Sequence, residues 1–261
     1  MRIKDYVKAE SLQQAYELNQ RKGNRILGGT LWLRLSDITI STAIDLSGLG
    51  LDTIEETQEQ FSIDAMATLR QMELHPGLNA YTQGAVARAV ESIVGVQFRN
   101  LATVGGSIFG RFGFSDVLTL FLALDTWVEL YQGGLVPLGD FVERKPDRDI
   151  LVRLIVNKKP GEFSYLSMRN SRTDFPVLTC AVSRMLGEYR AVFGARPARA
   201  MVLRDEKGIL LDGVTADSAR AFGQYAAENV PTGSNTRGSA KYRTHLADVL
   251  VQRALLALGG E

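Results

Sequence analysis

The stretch Gln97–Asp125, QFRNLATVGGSIFGRFGFSDVLTLFLALD, constrains the chain more than any other. At its centre Gly105-Gly106 stand between Thr103 and Ser107, after an apolar run and ahead of a helix start. Adjacent glycines let backbone approach backbone, or a ligand, where a Cβ would collide. Consecutive N–H groups beside small hydroxyl residues can form an anion-binding concavity. Ser115-Asp116 then read as helix caps before the apolar run VLTLFLAL. A turn between two core elements explains the same residues as economically as a phosphate loop does.

A second glycine pair shifts that balance. Arg25-Ile26-Leu27-Gly28-Gly29-Thr30 reads as a short strand running into a loop, so two glycine loops could clamp one pyrophosphate from two sides. Neither is G-x-G-x-x-G, and G-x-x-x-x-G-K-[ST] does not occur.

The motifs I-L-G-G-T, R-N-x-A-T-V-G-G-S-I, S-D-V-L and L-A-L-D, with the C-terminal R-G-S-A-K-Y-R-T-H-L-A-D-V-L, resemble the FAD-binding (medium) subunit of the molybdenum hydroxylases. These are the relatives of xanthine dehydrogenase and carbon monoxide dehydrogenase. The resemblance implies an α+β fold. A two-part FAD-binding domain, with a small α/β half over about 1–52 and a larger α+β half over 53–157, precedes a C-terminal antiparallel sheet-and-helix domain over 162–261. It also implies roles. Ile26, Leu27, Gly28, Gly29, Thr30 and Leu31 form the first loop against the pyrophosphate, and Thr103, Gly105, Gly106 and Ser107 form the second. Ser115 and Asp116 match the Ser-Asp whose acid reaches sugar hydroxyls, and Ile93 falls near the adenine. Three positions depart from the family's habit: Leu31 where a polar residue is usual, Ser107 for the commoner Asn, and no lysine within Tyr165–Arg169. Arg169, Arg172 and Asp174 are the remaining polar candidates beside the ring, with a surface salt bridge as the plain alternative.

Composition narrows the function classes. Thirty Lys plus Arg against twenty-nine Asp plus Glu leave no basic field for nucleic acid or an anionic membrane. One cysteine excludes an internal disulfide, a Cys-rich zinc site and a self-contained iron–sulfur cluster. His75 and His245 stand far apart, so no metal site is expected. Cys180 lies in an alternating strand and reads as a buried small hydrophobe. The start MRIKDYVKAES lacks an apolar leader core, and no apolar run reaches bilayer length, so a cytoplasmic chain is expected.

Along the chain, Ser11 opens an amphipathic helix stopped near Gly23, and strands follow at 25–28 and 43–46. A hairpin surrounds ETQEQ, with strands at Ile54 and Phe61–Ile63. Asp64 or Thr68 caps a helix through Met72, His75 sits at its C-terminal end as a dipole-favoured cap, and a further helix covers Gln83–Val94. Gly133-Gly134 turns a hairpin, Asp147 and Asp149 sit in solvated turns, Ile150–Val156 is a strand, and Lys158–Gly161 is the domain boundary. Strands 163–168, 177–185, 189–193 and 200–203 form an antiparallel meander, closed by helices 218–228 and 238–258.

No side chain reads as a general acid or base, so no catalytic residue is assigned. The expected function is a FAD-binding electron-transfer subunit. By resemblance, it would take electrons from a two-cluster [2Fe–2S] subunit, beside a large molybdopterin-binding subunit, and pass them to NAD or another acceptor. The rivals are a stand-alone FAD oxidoreductase of the same fold and a relative that lost FAD and serves as an interaction subunit.

Overall fold

Three short parallel strands open the structure, a computed structural model that describes residues 1–258. Ala43–Asp45 lies between Tyr6–Lys8 and Arg25–Leu27, with Ile26 opposite Ile44 and Leu27 opposite Asp45. The helix Leu12–Asn19 carries the chain from Tyr6–Lys8 to Arg25–Leu27, on the other side of the central strand. Ser11 starts that helix, its Oγ accepting from Gln14 N at 3.1 Å. Ala15, Ile44, Leu46 and Ile150 close a small core beneath.

The same unit contains a five-stranded sheet, ordered Ile54–Glu56, Gln60–Asp64, Leu151–Asn157, Thr126–Leu130, Gly134–Pro137. Its central strand, expected over Ile150–Val156, buries Leu154 and Val156 at alternate positions. The hairpin turn is held by Asp149, which accepts from Gly133 N at 2.8 Å and Gln132 N at 3.1 Å. Asp149 is therefore buried and engaged, not a solvated turn residue as expected. Two open turn amides outweighed the cost of burying one carboxylate. This unit comprises residues 1–72, 96–110 and 126–157.

The second unit comprises residues 73–95, 111–125 and 158–258 of the described chain. Its sheet is the expected meander: Gly161–Arg169, Pro176–Met185, Glu188–Gly194 and Met201–Arg204, each antiparallel to the next. Pro176–Met185 is buried on both faces. Leu178, Cys180 and Val182 join the cluster under helices Ala216–Asn229 and Ala240–Leu258. The alternate residues meet the helix Asp116–Ala123, where Thr179 Oγ1 lies 3.0 Å from Thr119 Oγ1 and Ser183 Oγ donates to Ala123 O at 2.6 Å. Burial pushes the Cys180 thiol pKa up, so it stays protonated as the small hydrophobe expected.

Three local expectations need correction. His75 is the N-cap of a helix Pro76–Tyr81, its Nδ1 accepting from Leu78 N at 3.1 Å, because Pro76 is well placed to start a new helix. The helix expected over Gln83–Val94 is confined to Ala85–Val90, starting after Gly84 at φ 79°. The run before the second glycine pair is a helical turn, Val96–Arg99, and the pair itself lies inside a helix, Val104–Phe109.

Candidate cofactor site

The two glycine pairs divide their work. A Cβ on Gly29 would overlap Leu101 O, and one on Gly105 would stand 2.6 Å from Ala65 O and 2.8 Å from Ala65 Cβ. Those two glycines serve backbone packing. Gly28 and Gly106 differ: a Cβ on either would meet only Thr103 Oγ1, at 2.9 and 3.0 Å. Both line a cavity of about 340 Å³ with Ile26, Thr103, Gly105, Phe109, Ile150 and Leu151. Gly28 from the first loop and Gly105 and Gly106 from the second thus border the same space. Only at Gly28 and Gly106 would a Cβ avoid a backbone clash, the hydroxyl of Thr103 lying between those two.

Amide accounting separates the loops further. In the second loop Val104 N donates to Ala67 O and Gly105 N to Ala65 O, both at 2.8 Å. Gly106 N donates to Thr103 Oγ1 at 3.1 Å, as in an N-cap, and Ser107 N to Thr103 O at 3.1 Å. The row of free N–H groups expected there is absent, because the segment winds into helix and pairs with the chain around Ala65. In the first loop, by contrast, the amides of Gly28, Gly29, Thr30 and Leu31 donate to no protein acceptor among the described residues. Thr30 adopts φ 59°, a left-handed turn that lets successive N–H groups converge. Among the described residues, the amides without a protein acceptor therefore lie in the first loop, and those of the second loop are engaged. Leu31 directs no polar group to the cavity and is buried. Ser107 Oγ donates to Thr103 O at 3.0 Å.

In the second unit, Ser115 caps the helix Asp116–Ala123, Oγ accepting from Leu118 N at 3.1 Å. Asp116 is 4% exposed, and its Oδ1 accepts from Tyr165 Oη at 2.5 Å and from Arg169 Nη2. Arg169 Nη1 also donates to Asp174 O at 2.6 Å. Burial raises the Asp116 carboxyl to about 6, against the pull of Arg169 and Tyr165. The Arg169 pair is thus interior, not a surface salt bridge. Tyr165 went unrecognised as its partner, since the two stand 49 positions apart and join only when the meander forms. Ile93 is half-buried in the turn after Ala85–Val90, its N–H on Val90 O at 2.8 Å.

Among the described residues no group of three or more His, Cys, Asp and Glu could hold a metal, and no helix is long and apolar enough to cross a membrane.

Fold and cavity together define a class: mixed α/β chains in which two glycine loops border one cavity. The family described as the FAD binding domain in molybdopterin dehydrogenase matches residues 1–158, and the CO dehydrogenase flavoprotein C-terminal domain matches residues 163–258. The chain is 27% identical over 202 residues to the xanthine dehydrogenase FAD-binding subunit of Escherichia coli O157:H7, covering 68% of each. It is 22% identical to the nicotine 6-hydroxylase medium subunit of Paenarthrobacter nicotinovorans, over 97% of this chain and 96% of that one. Its fold superposes on a chain of the carbon monoxide dehydrogenase of Hydrogenophaga pseudoflava with a TM-score of 0.87, at 24% identity, covering 99% of this chain and 97% of that one. The chain belongs to the FAD-binding family of the molybdopterin dehydrogenases, and FAD is its cofactor.

Proposed function

We propose that the chain is the FAD-carrying subunit of a molybdenum hydroxylase-type complex, taking electrons from iron–sulfur clusters on a partner chain and passing them to NAD or another acceptor. The observation that carries this reading is the cradle: glycines of both loops facing one cavity, beside four consecutive amides that find no protein acceptor among the described residues. A diphosphate supplies the acceptor oxygens that those amides lack. Relatives named as medium or FAD-binding subunits support assembly with other chains.

Bound FAD would supply the redox chemistry, exchanging electrons one or two at a time. The chain's own residues hold and shape. Gly28 and Gly106 keep the space open, the amides of Gly28–Leu31 bind phosphate oxygens, and Thr103 Oγ1 fixes the second loop beside them. Ile150 and Leu151 give the cavity an apolar wall that excludes water. Asp116 keeps Oδ2 without a side-chain donor, and it would accept from sugar hydroxyls, while Tyr165 and Arg169 fix the carboxylate. Ile93 would lie against the adenine. The single cysteine cannot ligate a [2Fe–2S] cluster, so in this reading the clusters and the molybdenum centre lie outside these residues.

Purification from the native host tests the assembly. Co-elution with an iron–sulfur chain and a large molybdenum-binding chain is expected. A protein that emerges alone and turns over a small substrate at enzymatic rates would make it a stand-alone oxidoreductase instead.

A further inference from the structure

We propose that Arg25 and Arg148 form a paired-guanidinium wall that binds the diphosphate of the dinucleotide, a role the sequence motifs assign to neither residue. The inference rests on the FAD reading above and adds the charged half of its phosphate site. Both arginines line the cavity that Gly28, Thr103 and Gly106 line.

Their guanidiniums meet on one oxygen. Arg25 Nη1 donates to Asn24 O at 2.7 Å, and Arg148 Nη2 donates to the same carbonyl at 2.9 Å. Arg25 Nη1 also reaches Lys22 O at 2.7 Å. Arg148 Nη2 reaches Arg21 O at 2.7 Å, and its Nε donates to Asn19 O. Backbone carbonyls orient both forks without neutralising them. Among the described residues neither arginine is in an ion pair.

The carboxylates on the same cavity do not answer them. Asp149 accepts from the amides of Gln132, Gly133 and Ile150, and Asp147 accepts from Asp149 N. Burial, then the like charge of Arg25, pull the Arg148 pKa below its usual value, which agrees with two close cations lacking a counter-ion. One arginine would suffice to staple the 19–24 loop. A second cation on the same oxygen adds repulsion, which a ligand carrying two negative charges removes. A diphosphate matches that charge, and guanidinium forks suit phosphate oxygens geometrically.

The test uses the full chain freed of flavin and titrated with FAD and with riboflavin, which has the ring and no phosphate. The variants are Arg25→Gln, Arg148→Gln and the charge-keeping Arg148→Lys, each checked for an unchanged melting temperature. Each Gln variant should weaken FAD by about tenfold or more and flatten the dependence of Kd on salt, with riboflavin affinity unchanged. Arg148→Lys should recover part of the loss. FAD affinity within about twofold of wild type in both Gln variants, or an equal loss for riboflavin, would overturn the proposal. A wild-type chain that takes no FAD at all would instead remove the flavin reading, and the arginine wall with it.

Discussion

Glycines 105 and 106 are neighbours with opposite duties, and substitution separates them. Gly105→Ala sets a methyl 2.6 Å from Ala65 O, so the apo-protein should lose roughly 1–3 kcal/mol of stability in urea unfolding. Gly106→Val meets only Thr103 Oγ1 and should leave apo stability within about 1 kcal/mol while abolishing FAD binding. Flavin retained at wild-type occupancy in Gly106→Val would reduce that glycine to a turn residue. Asp116 offers a pH test. In the folded chain its carboxyl titrates at about 6, above the ordinary 3.8 of an exposed aspartate, because burial disfavours the charged form. Its contribution is therefore full below about pH 4 and is lost as pH rises through about 6, at about 1.4 kcal/mol for each pH unit crossed. Wild-type apo-protein should lose ground against Asp116→Asn between those pH values. A gain over the same range would mean that attraction from Arg169 outweighs burial. At this scale the close backbone approach at the two glycine pairs was legible in the sequence, and Gly29 and Gly105 show it. Which glycine faced the cavity was not, since the obstructing atoms, Leu101 O and Ala65 O, lie far along the chain.

Among the elements, long periodic segments read well and capped starts read unevenly. The meander's strands formed where expected, though Pro176–Met185 is buried on both faces rather than alternately. Of the stripe expected on the closing helix, Leu246, Leu250 and Ala254 are buried while Val249 is half-buried. His75 misled because a histidine after an apolar turn suits a C-terminus, yet Pro76 made it the cap of the next helix. The second loop misled because Gly-Gly argues against helix by propensity, while Thr103 and the contacts around Ala65 impose one. The closing helix also holds a charged residue on its buried stripe, where residue type alone would suggest surface. Arg243 is fully buried, donating to Val177 O at 2.8 Å, Gly233 O at 2.8 Å and Asn235 Oδ1 at 2.7 Å. It ties that helix to the second strand of the meander and to the 233–238 loop. Arg243→Met should therefore destabilise the chain by more than about 3 kcal/mol in urea unfolding, because several buried carbonyls lose their donor. A cost below about 1 kcal/mol would mean that water replaces the guanidinium.

For the whole molecule, each unit draws on three separate chain segments, an arrangement no local signal announces. The family was nonetheless readable end to end, because its motifs fall in order along almost the full length and the two family domains match residues 1–158 and 163–258. The near balance of charge, thirty basic against twenty-nine acidic residues, favours a mixed apolar–polar docking surface over a purely electrostatic one. Raising ionic strength should accordingly leave the proposed complex intact, and its dissociation in moderate salt by gel filtration would count against such an interface. The visible absorption spectrum of the purified chain, followed by titration with FAD and FMN, shows whether the paired glycine loops hold FAD. A bound flavin spectrum, one FAD per chain and a clear preference for FAD, whose second phosphate and adenosine FMN lacks, are expected. A colourless protein that cannot be reconstituted, or equal affinity for the two flavins, would contradict that expectation.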